Sequence, residues 1–280
     1  MPDKPVFRPG IMLENLHQKS PLIHNITNYV TANDCANILL ACGASPIMAD
    51  DAAEVQEISG IASGLCLNLG TLHRSTVDSM LLAGRTAAER GIPIVLDPVG
   101  VGAAAQRAMA AQALLRELPI AVLRGNVSEV KAIAGVASST RGVDACSADL
   151  VTPETLPELA AFVTRLALAL HCTVAMSGAI DVISDGRATY AVFNGHPMMP
   201  RITGSGCMLT GVVTAFAAAN PGSAVQASTA AYAAMGLCGE IAHAALRPGQ
   251  GTGAFRSNLI DAMSLLDDDA LRQGMKVCIF

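Results

Sequence analysis

The sequence predicts an α/β fold in which a mostly parallel sheet carries helices on both faces. Short apolar runs of strand length alternate with longer helical patterns, and polar residues punctuate the ends of those runs. After Ser177 the rhythm changes: Asp185-Gly186, a strong hairpin signal, separates two apolar runs, so the sheet should finish in antiparallel strands.

In chain order, the strand candidates are residues 21–24, 45–48, 65–69, 93–96, 120–123 and 173–176. Helical patterns over 31–42, 74–90 and 106–118 separate several of them. Thr31 or Asn33 can cap the first of these helices and Gly43 follows its last turn, while Gly91 and Pro93 close the second. Residues 181–184 and 188–193 flank the hairpin turn. From Gly204 the chain reads as helices over 205–219, 223–246 and 253–266, with alanine-rich faces suited to close packing. No Pro/Ser linker, low-complexity tract or internal repeat divides it, so one domain over residues 1–280 is expected. Residues 141–152, polar and carrying Gly142 and two aspartates, are the expected mobile surface loop.

Composition narrows the class. Only 15% of the 280 residues are charged, and the mean hydropathy is +0.44. Such a chain has apolar surface to hide, which predicts a homo-oligomer. A net charge of −5 without a Lys/Arg cluster argues against nucleic acid. Residues 1–5 contain no apolar signal core, and the most apolar later stretches are broken by polar residues such as Thr210, Gln226 and Glu240. No membrane association or secretion is expected. Eight cysteines without a C-x-x-C pair suit buried, reduced thiols in a cytoplasm rather than a zinc site.

The segment Ile202-Thr203-Gly204-Ser205-Gly206-Cys207-Met208 carries the sharpest chemistry. Two glycines and a serine open a long apolar helix, and unsatisfied amides with the positive helix end favour an anion there. Gly204, Ser205 and Gly206 are thus a candidate anion hole, and the dipole favours thiolate at Cys207. A Gly-rich turn opening a core helix with a buried cysteine is the plainer alternative.

In open parallel sheets, ligands gather at the carboxyl ends of strands. Asp97, Arg124 and Ser177 fall at such ends, and Glu129 follows Arg124-Gly125-Asn126 closely. Asp97 and Glu129 can gather a water-coordinated Mg²⁺, which takes one or two carboxylates plus substrate phosphates. Glu129 also suits a helix N-terminus. Asn25, Thr27 and Asn28 can line an alcohol pocket or form an Asx-type turn, and Met48, read alone, suits the core.

Other chemistries have weaker footing. Gly100-Val101-Gly102 through Ala105 loosely fits G-x-G-x-x-A, with Arg124 placed for a 2′-phosphate, which keeps an NADP-dependent reductase in view, although Pro98 distorts the strand-to-turn entry. No G-x-x-x-x-G-K-[ST] occurs. A nucleophilic Cys207 activated by His196 or His243 is a further reading, but neither histidine sits in a recognisable motif. A noncatalytic nucleotide sensor would share the anion site without turnover.

Taken together, Pro21–Val30, Ala44–Ala49, Leu96–Ala103, Arg124-Gly125-Asn126 with Glu129, and Thr203–Cys207 resemble the hydroxyethylthiazole kinase family, in order from about residue 12 to 266. The resemblance implies a ribokinase-like three-layer α/β/α fold. It implies ATP- and Mg²⁺-dependent phosphorylation of 4-methyl-5-(2-hydroxyethyl)thiazole in thiamine salvage, by a homotrimer with active sites between subunits. Carried over by position, Met48 and Gly204 would contact the thiazole, Arg124 and Ser177 the ATP, Asp97 and Glu129 the metal and phosphates, and Cys207 would be the base. Two departures stand out: Ser177 replaces a common threonine, and Thr252 interrupts the usual Gly-Pro-Gly near 251–255. Hydroxymethylpyrimidine kinases, which can also place cysteine here, are the rival within the class.

Overall fold

The computed structural model describes residues 9–141 and 150–280, without the side chains of residues 136–141. Its strands are β1 (Leu22–Ile26), β2 (Ser45–Met48), β3 (Gly64–Asn68), β4 (Ile94–Asp97), β5 (Ile120–Asn126), β6 (Thr173–Ser177), β7 (Asp181–Ser184), β8 (Thr189–Val192) and β9 (Val277–Ile279). They form one sheet in the order β2-β1-β3-β4-β5-β6-β7-β8-β9. Pairing is parallel from β2 through β6 and antiparallel from there to β9.

Side-chain alternation along the strands builds two cores. Ile23, Cys66, Val95 and Val122 join one; Leu65, Leu67, Leu96 and Leu123 join the other. Helices α1 (Pro9–Lys19), α2 (Ala32–Ala41), α8 (Ser205–Ala219), α9 (Ala224–Ala244), α10 (Thr252–Ser264) and α11 (Asp268–Gly274) close the first. The second is covered by α3 (Val55–Ile61), α4 (Arg74–Glu89), α5 (Ala105–Glu117), α6 (Val127–Arg141) and α7 (Leu156–Leu170). This is the three-layer arrangement expected.

The chain leaves β1 toward α2 on one face and β3 toward α4 on the other. Between the carboxyl ends of β1 and β3 the connections therefore diverge, opening the crevice in which such sheets bind ligands.

Predicted strands and helices fall within a few residues of the observed ones. The sequence reading assigns no range to α1, α3, α6, α7, α11 or β9, although it weighs a helix N-terminus at Glu129. Strand β9 has only three residues and gains its place by pairing with β8, where Phe193 N–H donates to the Lys276 carbonyl at 2.8 Å. At the predicted cap of α2, Thr31 makes no capping hydrogen bond with its side chain. Its hydroxyl donates instead to Asn28 Oδ1, at 3.0 Å. The β7–β8 hairpin forms as expected, with Gly186 at φ 85°. Residues 142–149, most of the anticipated mobile loop, lie outside the described residues. No helix among the described residues is long and apolar enough to cross a membrane.

Candidate active site

Helix α8 is apolar on nearly every side because it lies between the sheet, α2 and α9, and Met208 through Ala217 are all buried. Its far end is held by Lys19 Nζ, which donates to the Ala219 carbonyl at 2.5 Å, and by Asn220 Nδ2, which donates to the Phe216 carbonyl at 2.9 Å. A cation at the C-terminus complements the helix dipole. At the near end, Gly204 sits at φ 81° and offers no capping side chain. The amides of the first turn thus have no partner from a cap.

Those residues, Gly204 through Cys207, line a cavity of about 730 Å³ at the carboxyl end of the sheet. Asp97, Arg124, Glu129 and Ser177 line it too, so eight of the residues singled out in sequence meet there.

Asp97 is fully buried. Its Oδ2 accepts from Thr210 Oγ1 at 2.6 Å and from Asn68 Nδ2 at 3.1 Å, and it faces Arg124 Nη1 at 3.6 Å. Oδ1 is buried without a hydrogen-bond partner. Burial pushes the Asp97 carboxyl up to about 6 against the opposing pull of Arg124 and Thr210.

Arg124 Nη2 donates to Ser177 Oγ at 2.7 Å, which lies 3.2 Å from the Tyr232 hydroxyl; that hydroxyl donates to the Ala175 carbonyl at 2.9 Å. A relay from guanidinium to backbone results. Burial opposes the Arg124 charge, yet Tyr232, Asp97 and Glu129 outweigh it and raise its pKa, while burial pushes Tyr232 up to about 12. Arg124 stays a cation and Tyr232 a neutral phenol. Arg124 Nε is buried with no hydrogen-bond partner.

Glu129 serves two loops. Its Oε2 accepts from Asn126 N at 2.9 Å while Asn126 Oδ1 accepts from Glu129 N at 2.9 Å, a reciprocal box that opens α6. Oε1 accepts from Gly100 N at 3.0 Å. The helix-terminal role is thus present, and each oxygen keeps a further lone pair. The same contact places a carboxylate on the Gly100 amide, where a dinucleotide pyrophosphate would need to sit.

Cys207 Sγ receives Asn28 Nδ2 and Asn68 Nδ2, each at 3.3 Å. Neither histidine considered as its activator is bonded to it: His196 and His243 stack on each other, ring centroids 3.6 Å apart. Asn28 is at once the Asx turn and the cysteine's neighbour, since its Oδ1 also accepts from Thr31 N at 3.1 Å. The other expected substrate contacts stand apart. Asn25 is buried, with Nδ2 donating to the Ile23 carbonyl at 2.9 Å, and Met48 is 38% exposed at the end of β2. Neither lines the cavity.

Asn68, Thr210, Tyr232 and Asp181 are site residues that the sequence reading missed. Position at a strand end was a signal available for Asn68; the others sit in apolar strings or at a strand start. Asp181 lines the cavity with Oδ1 accepting from Gly178 N at 2.9 Å. Burial pushes its carboxyl up to about 7.

A carboxylate, a buried arginine and an uncapped helix terminus thus form an anion-binding site at the carboxyl ends of the strands of a ribokinase-like three-layer fold. A ribokinase-like protein from Enterococcus faecalis V583 shares the fold at TM-score 0.60 and 12% identity, covering 94% of this chain and 90% of that one. The chain belongs to the hydroxyethylthiazole kinase family, whose profile matches residues 13–269. It is 48% identical over 259 residues to a hydroxyethylthiazole kinase of Clostridium acetobutylicum, covering 92% of this chain and 95% of that protein. It is also similar to the structure of a hydroxyethylthiazole kinase from Pyrococcus horikoshii OT3, at TM-score 0.86 and 35% identity, covering 97% and 98% of the two chains.

Proposed function

We propose that this chain transfers the γ-phosphoryl group of ATP to the primary alcohol of 4-methyl-5-(2-hydroxyethyl)thiazole, a step of thiamine salvage. The observation that carries this reading is the convergence of Cys207, Asp97 and Arg124 around the first turn of α8 in a member of the kinase family.

Cys207 accepts the hydroxyl proton as the new O–P bond forms, and the bond to the bridging oxygen breaks to release ADP. Amides of Gly204, Ser205 and Gly206 stabilise the transferring oxygens, while Arg124, steadied by Ser177, offsets polyphosphate charge. Positioning and charge neutralisation supply most of the catalysis.

The donor set fits Mg²⁺. Asp97 Oδ1 is buried without a partner, and Glu129 retains acceptor capacity across the same cavity. Mg²⁺ takes one or two carboxylates, with phosphates and water completing its shell. When bound, the ion would neutralise phosphate charge between Asp97 and Glu129.

The working unit in this reading is a cytoplasmic homotrimer with sites between subunits. Supporting it, Tyr29 is 75% exposed and Val30 57% in the connection that follows β1, and Met48 is exposed at the end of β2, leaving apolar side chains open to a second chain. A second chain packed there would complete the thiazole pocket at Met48 and Asn25. Small-molecule substrates, and no nucleic acid or membrane, remain its partners.

The test is an ATP-dependent phosphorylation assay that offers thiazole and pyrimidine alcohols separately, with and without Mg²⁺, on protein of measured oligomeric mass. Mg²⁺-dependent product from the thiazole alone is expected. Preference for the pyrimidine alcohol would overturn the substrate reading, and a monomer of full activity would overturn the trimeric site.

A further inference from the structure

We propose that Asp181 recognises the ribose hydroxyls of the nucleotide and so sets donor specificity. The inference rests on the kinase reading above, and begins from strand order.

Along the carboxyl edge of the sheet the polar groups succeed one another as Asn28 after β1, Asn68 on β3, Asp97 on β4, Arg124 on β5, Ser177 on β6 and Asp181 on β7. Asn28 and Asn68 hold Cys207, so the acceptor alcohol belongs at the β1/β3 end. In-line transfer puts acceptor and leaving group on opposite sides of the phosphoryl group. With that group between Cys207 and Arg124, the remaining nucleotide extends toward β6 and β7.

Asp181 stands on that side and takes no part in the transfer. Its Oδ1 is committed to Gly178 N at 2.9 Å, and no other group among the described residues hydrogen-bonds the carboxylate. A carboxylate repels a polyphosphate, so its natural partner in this cavity is a donor group. Two adjacent hydroxyls are such a donor, and carboxylates bind ribose hydroxyls in other nucleotide sites. The phosphate-facing Ser177 lies one residue before Gly178, which places Asp181 at the start of the nucleoside. Further out, Pro197, Met199, Pro200 and Met235 give the cavity an apolar wall suited to a flat base.

The test compares ATP with 2′,3′-dideoxy-ATP on the wild-type enzyme, Asp181→Asn and Asp181→Ala. Asparagine keeps an oxygen for Gly178 N but replaces the free carboxylate oxygen with an amide NH₂, so the turn survives while the acceptor is lost. For wild type, KM for the dideoxy nucleotide should exceed that for ATP by about 10- to 100-fold, with kcat little changed. In Asp181→Asn the ratio should fall to about one, because KM for ATP rises to meet the other. A wild-type ratio retained in Asp181→Asn overturns the proposal, as does a wild type that treats the two nucleotides alike. Calorimetric binding of both nucleotides to wild type and Asp181→Asn separates the two readings. Discrimination in binding without phosphorylation of the thiazole sinks the acceptor assignment and leaves the ribose contact standing, whereas thiazole phosphorylation without discrimination does the reverse.

Discussion

A β-carbon added at Gly206 would stand 2.8 Å from Nη1 of Arg124 and 3.2 Å from Nη2. The guanidinium therefore occupies the space that a side chain in the first turn of α8 would need. Gly204 differs: its added β-carbon would meet Thr31 Cγ2 at 2.5 Å, and its φ of 81° is left-handed. One glycine admits a charged group of the site, and the other shapes the turn itself.

Gly206→Ala should impair function more than folding. The obstructed atoms are the far end of a flexible side chain, so Arg124 can swing away at little cost to the fold. We expect a thermal midpoint near wild type with kcat/KM lowered about 10-fold or more, since a displaced charge clamp loses transition-state stabilisation. Unchanged kcat/KM would show that Arg124 is not needed where it lies.

Gly204→Ala should weaken the fold. Left-handed backbone costs an alanine about 1–2 kcal/mol, and contact with Thr31 adds to it. Chemical denaturation of the single variant and of Gly204→Ala/Thr31→Ser resolves the two parts. Removing the threonine methyl should recover only part of the loss, because the Thr31 Cβ contact at 2.9 Å and the backbone share remain; complete recovery would mean the turn carries no strain.

Cys207→Ala should lower kcat by about 10²–10⁴-fold while KM for ATP stays within a few-fold of wild type, as expected for loss of a general base. Near-normal turnover removes that role. It would leave Asn28 and Asn68 as groups that fix the acceptor alcohol directly.

Asp97 supplies a pH signature. Its folded value of about 6 lies above the ordinary 3.8, so the folded state holds the proton more tightly than the unfolded chain. Its contribution to stability must fall as pH rises from about 4 to 6, and level off above. The stability of wild type minus that of Asp97→Asn should therefore decline over that window by up to about 3 kcal/mol, at 1.36 kcal/mol per unit. A constant offset from leaving Arg124 unpaired does not alter this slope. In kcat/KM, an acid limb near pH 6 should appear and persist in Asp181→Asn; loss of the limb in that variant would assign it to Asp181.

Much of the site was legible because each residue had a local signal. Asp97 and Ser177 end apolar strands, Arg124 lies two residues before the end of another, and Gly204–Cys207 opens an apolar helix. Asn68 ends a strand too, yet an asparagine carries no chemistry until its partners are known. Tyr232 and Thr210 lie within buried helices, where only contact with Ser177 and Asp97 distinguishes them from core residues.

By itself, the sequence determined the alternation of strands and helices and the antiparallel finish, because periodicity and turn chemistry act over a few residues, while the family was legible from the resemblance of whole segments taken in order. Tertiary structure decided which polar groups meet. The Cys207 sulfur is bonded to residues 179 and 139 positions away along the chain. Gly206 faces Arg124 rather than empty space, and Asp181 shares a cavity with Ser177. Strand order and the packing of α8 against the sheet set those meetings, and no local pattern encodes them.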